Sequence, residues 1–437
     1  MTVLSVGAGQ TYSRISDAVA ASRDGDVIQV QAGTYTNDFA EINSKITIRA
    51  VGGTANLVST TSAPNGKAIL TTNTDVTIDG LSFTGARSDA GNGAGIRYQG
   101  GNLTIANSRF ADNQNGILAA ADAGGSITIE GSEFAHNGTG DGRTHNIYVN
   151  QVGSLTIRDS YIHGAVVGHE IKSRAYTTLI EGSRIADGPS GTASYGIDLP
   201  NGGRVTIRDN VIEEGPKSSN PHTIHFGGEG TPHAGSSLLV SGNTIINHRA
   251  QATAVLNQAG APVTFSDNEV YGLTANRLVS GGGTVSGTVF LARDPGVDTS
   301  PPWEAPLPGD VLVVRIAADV AGGMTFVAGL DGRALGAPVA ITRAADGSGD
   351  QIVAFTGDFG AGPHVASIAV SSAVPGERHT ATLAGLSFDG KEALSAPMQL
   401  GSGSTGLVAV NGATAFALAV PTTAASTMLP TLQTMLA

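Results

Sequence analysis

Four short strings concentrate the reactive side chains of this chain: HNIYVNQ (145–151), HEIKSRA (169–175), SYGIDLPNGG (194–203) and NPHTIHFGGEG (220–230). Each holds one isoleucine: Ile147, Ile171, Ile197 or Ile224. Aligned on it, the preceding column reads Asn146, Glu170, Gly196 and Thr223, and the following column Tyr148, Lys172, Asp198 and His225. Asn150 and Arg174 come three positions after the isoleucine, and Asn201 lies in the third string. Side chains alternate along a strand, and adjacent strands lie about 4.8 Å apart. With the isoleucines inward, both flanking columns are expected on one outward patch.

Such a patch has the parts for elimination across a uronic acid. A cation (Lys172, Arg174 or a bound calcium) would neutralise the sugar carboxylate. Lys172, with its pKa lowered by Arg174, would take the C5 proton. Tyr148 or His225 would donate to the departing O4. Asn146, Asn150, Asp198 and Asn201 would contact the glycan. Glu170 and Asp198, with Asn146 or Asn150, offer the hard oxygen ligands that calcium takes. The same two carboxylates could form a hydrolase acid/base pair, but Lys172 and Arg174 would then have no evident task. Two non-catalytic readings remain open. One is a glycan-binding groove. The other is cross-strand ion pairing of Glu170 with Lys172 or Arg174, and of Asp198 with Lys172. His145, His169, Tyr195 and His222 precede the isoleucine by two. Parity turns them inward as a stacked ring ladder rather than metal ligands. The loop GGEGTPHAG (227–235) beside the patch reads as a lid or a long turn.

The elements that position these groups come from an internal repeat. Segments beginning at Leu103, Ile127, Leu155, Thr178, Val205, Leu238 and Val263 align as a strand, a Gly/Asp/Asn/Ser turn and a second strand. Weaker copies begin at Ile46 and Val76. A second column sets Ile96, Ile117, Ile147, Ile171, Ile197, Ile224, Val255 and Leu278 together. Two columns in register describe a solenoid of parallel strands, whose coils bury their apolar faces only by stacking. Ser108, Ser132, Ser160, Ser183, Asn210, Asn243 and Asn268 fall at the turn, where they are expected to bond along the axis.

Composition agrees. The 437 residues include 61 glycines, no cysteine and only 5% aromatic side chains. This suits short strands and turns, and it excludes disulfides, cysteine-ligated metals and thiol nucleophiles. A net charge of −12 argues against a nucleic-acid partner. No run is long and apolar enough to span a membrane.

Residues 1–290 resemble the right-handed parallel β-helix superfamily that holds pectate lyases, chondroitinase B, alginate lyases and uronan epimerases. The opening, GQTYSRISDAVAASRDGDVIQVQAGTY (9–35), carries the resemblance together with the repeat. It implies a short capping helix with Ile15, Ala18 and Val19 on its apolar face and Ser13 as N-cap, followed by a strand. In the lyases of that group, Asn and Glu ligands hold calcium while Lys and Arg act as base and acid. Asn146 or Asn150, Glu170 and Lys172 are similar in type and order.

A Pro-rich linker is expected over 291–308, then a small β-sandwich over 309–400. The latter resembles the calcium-dependent xylan-binding module, through GDVLVVRIAADVAGGMTFVAGLDGRALG, TGDFGAGPH and LAGLSFDG. Asp319 and Glu377 stand where the resemblance places acidic residues. The uncharged tail, 401–437, looks like a type I secretion signal, with a final strand as the alternative. The expected protein is thus an extracellular, all-β, two-domain polysaccharide-acting one. A lyase leads, with a surface or matrix scaffold as the competing class and a cytoplasmic location as the competing address.

Overall fold

The computed structural model describes residues 2–297 except 231, residue 299, and residues 311–320, 323–331, 333–335, 338–341, 351–356, 364–374, 377–388, 391–394, 396–410, 417–424 and 428. The chain divides into two compact units, Met1–Ala305 and Pro306–Ala437.

The first unit is a parallel β-solenoid. The repeat columns pair in the expected register: Leu103 with Ile127, Ile127 with Leu155, Leu155 with Thr178, Thr178 with Val205, Val205 with Leu238 and Leu238 with Val263. A separate ten-stranded sheet carries the second column. There Ile96, Ile117, Ile147, Ile171, Ile197, Ile224 and Val255 stack in order, all fully buried. The column ends on Val279 rather than Leu278, because Val255 pairs with Val279. Stacked Phe83, Phe110 and Phe134, with centroids 4.6 Å apart, continue the core.

The turn ladder forms as expected. The amide of Ser108 donates to Ser132 Oγ (3.1 Å), Ser132 to Ser160 (3.2 Å), and Ser160 to Ser183 (3.2 Å). Asparagine then takes over, with Ser183 N donating to Asn210 Oδ1 (2.8 Å) and Asn210 N to Asn243 Oδ1 (3.0 Å). Each turn needs a left-handed residue just before this column, for instance Asp159 at φ 47° or Gly182 at φ 59°. Glycine, Asn and Asp tolerate that region best, which explains their recurrence there.

A helix, Ile15–Ala21, buries Ile15, Ala18 and Val19. Its first amides are taken by Asp38, which accepts from Ile15 N (2.5 Å) and Ser16 N (3.1 Å). Ser13 is therefore not the cap: Arg14 occupies the N-cap position without a side-chain bond, and a distant carboxylate satisfies the orphan amides.

The expected linker begins later than residue 291. Leu291 N bonds Val270 O (2.8 Å), and Asp294 reaches His248 (3.5 Å), so this stretch lies against the solenoid. Residues 300–308 of the linker lie outside the described residues.

The second unit has two antiparallel sheets. Val311–Ala318 pairs with Gln351–Thr356 and Thr380–Phe388. Met324–Leu330 pairs with His364–Ser372, which pairs with Ser404–Val410. Leu312, Val314, Ile316, Phe326, Ile368, Leu383 and Leu400 form its core. The tail corrects one boundary, since Ser404–Val410 pairs with Ala417–Pro421. These strands belong to the sheet, leaving less of the tail for a signal. Residues 425–427 and 429–437 lie outside the described residues. No helix among the described residues is long and apolar enough to cross a membrane.

Candidate functional site

Three-residue strands, Ile147–Val149, Ile171–Ser173 and Ile197–Leu199, present the following column outward. Tyr148 lies beside Lys172, Lys172 beside Asp198, and Asp198 beside His225. The preceding column behaves differently. Asn146 and Glu170 are fully buried, and the expected outward placement is corrected for both. A Cβ at Gly116, in the same column, would meet the Phe134 ring at 2.7 Å, so this column aims into the core. The strands start at the isoleucine. Alternation does not extend back through the bend before them.

Buried Asn146 joins an internal polar chain. Its Oδ1 accepts from Asn137 Nδ2 (2.7 Å), and its Nδ2 donates to His163 O (2.9 Å) and to Glu170 Oε2. Glu170 Oε1 accepts from Ala165 N (2.9 Å). Burial pushes the Glu170 carboxyl well above its ordinary pKa. Glu170 thus cannot face Asp198 across a groove, which removes both the hydrolase pair and the expected calcium ligand.

The ring ladder forms on the outer face, not inward. His145 stacks on His169 (4.9 Å), His169 on Tyr195 (5.4 Å), and Tyr195 on His225 (4.7 Å). His225 takes the place expected for His222, whose Nδ1 instead meets Thr253 Oγ1 (2.8 Å). His169 Nε2 reaches Asp198 Oδ2 (3.3 Å), which fixes the ladder on the reactive side. Burial lowers His169 to about 4, so it is neutral there.

Asp198 is the hub. Its Oδ1 meets His225 Nδ1 (2.7 Å), and its Oδ2 meets Lys172 Nζ (2.9 Å). Burial alone would raise its pKa, yet the His225 hydrogen bond and the charge and hydrogen bond of Lys172 hold it down at about 2. His225 is raised in turn: burial opposes its charge, but bonds to Asp198 and to Gln258 (3.0 Å) outweigh it.

Glu229, which the sequence reading did not single out, completes the cluster. It bridges Lys172 Nζ (2.8 Å) and Arg174 Nη2. Its side chain is 48% exposed, whereas those of Lys172 and Arg174 are 10% and 18% exposed. The 227–235 loop places it: Gly227 N bonds Leu199 O (2.9 Å), and Glu229 N bonds Pro200 O (3.0 Å). A signal for it did exist, because Glu229 is the sole Asp, Glu, Lys or Arg between residues 226 and 248. Arg174 also donates to Tyr148 Oη (3.1 Å) and Asn201 Oδ1 (2.5 Å), and Asn201 Nδ2 donates to Glu229 O (2.7 Å). Asn150 stays apart; its Oδ1 accepts from the adjacent Gln151 amide (2.9 Å).

These partners reverse the expected state of Lys172. Burial would lower its pKa, but Asp198 and Glu229 outweigh burial and raise it. Lys172 is a held cation, not a neutral base. The cluster also does not suit calcium. Its carboxylate oxygens, on buried Asp198 and half-exposed Glu229, are already engaged by Lys172, Arg174 and His225. Among the described residues no group of three or more His, Asp or Glu is arranged to hold a metal.

Residues 122–290 match the family model described as "Right handed beta helix region", and the solenoid is a right-handed β-helix. No curated protein matches the chain. Among solved structures, an alginate lyase from Paenibacillus sp. str. FPU-7 is 19% identical, with 67% of this chain and 99% of that chain covered and a TM-score of 0.49. The PL6 family alginate lyase AlyGC is 17% identical, with 67% and 40% covered and a TM-score of 0.37. The pectin methylesterase from Aspergillus niger is 12% identical, with 68% and 91% covered and a TM-score of 0.33. None of these likenesses carries chemistry to this chain.

Proposed function

We propose that the protein binds a uronate-containing polysaccharide along the outer face of the ten-stranded sheet and cleaves it by β-elimination. The observation that carries this is the convergence of Lys172 and Arg174 on one half-exposed carboxylate, that of Glu229. Two held cations around a displaceable carboxylate form a seat that a sugar carboxylate also fits.

In that seat, Lys172 and Arg174 neutralise the uronate and stabilise the charge that develops when the C5 proton leaves. Arg174 donates to Tyr148 Oη, which fixes that oxygen beside the two cations, and Tyr148 is assigned as the proton acceptor on that placement. Lys172, the strand neighbour of Tyr148, has a proton to give. The C5–H bond breaks towards Tyr148, a C4=C5 double bond forms, and the C4–O4 bond breaks as Lys172 protonates O4. Asp198 and His225 keep Lys172 charged and oriented.

Glycan binding without turnover is the second reading. It is favoured by the closure of the network, in which Lys172, Arg174, Asp198 and Glu229 are all already paired. The second unit is proposed as an accessory glycan-binding module. Asp319 and Glu377, singled out in its sequence, meet there on His379 (3.2 and 3.0 Å). The proposed substrate class places the activity outside the cell.

The test is the ultraviolet absorbance of the unsaturated uronate during incubation with a panel of acidic glycans. A rise that depends on Lys172 supports elimination. Retained binding with no rise leaves the binding reading in its place.

A further inference from the structure

Arg97 stands in the same outward column as Lys172. Its strand, Ala94–Tyr98, buries Ile96 and Tyr98 and leaves Arg97 half-buried between them on the opposite face. Arg97 pairs with Leu118, Leu118 with Tyr148, and Tyr148 with Lys172. At about 4.8 Å per strand, its backbone lies roughly 10 Å from that of Tyr148 and roughly 14 Å from that of Lys172. Beyond Arg97 the face closes. Thr71, the next residue in register, is fully buried and accepts a hydrogen bond from Asn65 Nδ2 (3.1 Å).

Lys172 and Arg174 are held by carboxylates. Arg97 has none: among the described residues it makes neither an ion pair nor a hydrogen bond. Its Nε is sealed from solvent without a partner, whereas neither terminal nitrogen is sealed. The sealed atom is not the one that meets a ligand. It shows that the base of the guanidinium is packed away while the terminal pair stays open, in the orientation that receives a carboxylate end-on. A half-buried cation with an unsatisfied donor is costly and asks for an explanation. Burial lowers its pKa, and the opposing influence comes from Tyr148 rather than from a carboxylate.

We propose that Arg97 is a distal carboxylate subsite, which holds a second uronate of the same glycan chain whose first uronate lies between Lys172 and Arg174. The inference rests on the uronate-binding part of the reading above, not on turnover. The terminal nitrogens of arginine present two parallel donors that match a carboxylate. Half-buried Leu118 and Tyr148 lie between the two seats and offer apolar surface to the intervening rings. A pyranose residue in an extended chain is about as long as the strand spacing, so three strand steps correspond to about three residues. The shortest chain that reaches both seats is therefore a tetramer.

Isothermal titration of the full chain with saturated di- and tetramannuronate, repeated with the galacturonate pair, tests this. In at least one series the tetramer should bind at least about tenfold more tightly than its dimer, the gain expected of one further charge-assisted pair. Arg97→Gln should weaken the tetramer about tenfold and leave the dimer unchanged. Arg97→Lys keeps the charge without the paired donors; it should weaken the tetramer alone by a smaller factor, and it decides the matter if the glutamine variant fails to fold. Equal affinity for dimer and tetramer, or an equal loss for both in the variants, would overturn the subsite while leaving the seat at Lys172 and Arg174 in place. No binding of any of these oligomers would overturn the subsite and the seat together.

Discussion

Replacing Glu229 with glutamine should tighten the binding of a uronate oligosaccharide. The Glu229 carboxylate occupies the space between Lys172 and Arg174, so an incoming sugar carboxylate must first displace it. Glutamine keeps the shape and removes the competing charge. The cost of displacement follows from exposure: the Glu229 side chain is 48% exposed, and pairs of this kind are worth about 0.2–1 kcal/mol each. Two pairs give roughly 0.4–2 kcal/mol, which is about a two- to thirtyfold fall in Kd at 1.4 kcal/mol per tenfold. The vacated cations are also left unscreened, so binding to the variant should weaken more steeply with added salt. Titration of a size-defined oligouronate into both proteins, at low and at physiological ionic strength, reads both effects. An unchanged or raised Kd in the variant would refute the reasoning. It would mean that Glu229 is a fixed wall or a substrate contact, not an occupant of the seat.

Three further outcomes follow from the same geometry. Lys172→Ala should abolish turnover and cost roughly 3 kcal/mol of stability, because it strips a partner from buried Asp198; chemical denaturation and product formation read the two separately. Glu214→Gln should flatten the pH dependence of stability. Burial raises the Glu214 carboxyl well above its ordinary pKa, so the unfolded chain ionises first and stability falls as pH rises above about 4.5, by up to 1.36 kcal/mol per unit. The amide can still accept from Gly196 N and donate to Ser218 Oγ, so melting curves of variant and parent should converge near pH 4.5 and separate by pH 8, whereas parallel profiles would contradict the assignment. Asn243→Ala should cost about 2–4 kcal/mol. It leaves Asn210 N (3.0 Å) and Ile207 O (2.9 Å) without their partner, and a urea midpoint checks it.

Acid sensitivity should centre on Asp198. Its pKa is depressed, so its contribution is complete above the unfolded value near 3.9 and is lost as pH falls towards about 2. His225 works in the opposite direction. Its raised pKa gives stability that is full below the unfolded value near 6.5 and is lost as pH rises through the folded one.

The solenoid was legible because every coil repeats the same physical problem. A strand must turn through a left-handed residue, satisfy the next amide, and bury an aliphatic side chain on its neighbour. Ser108 to Asn268 and Ile96 to Val255 record that repetition directly. The outward column, Tyr148, Lys172, Asp198 and His225, was legible for the same reason. Asn146 and Glu170 were misplaced because alternation was carried through the bend before a three-residue strand. Charge state was the least legible property. The pKa of Lys172 depends on Asp198, one coil on, and on Glu229, 57 residues away in sequence, and no local pattern encodes that contact. The absence of cysteine and the small number of aromatic residues are consistent with the result, since stacked Ile, Val and Asn columns supply the cohesion.

The most direct measurement of the central claim is the structure of the product released from a uronan by the full chain. Mass spectrometry should find oligosaccharides one water lighter than hydrolysis products, with proton resonance placing a C4=C5 double bond in the terminal ring. Lys172→Ala should release none. Products of hydrolytic mass would contradict the account, and so would intact uronan after incubation with protein shown to bind it.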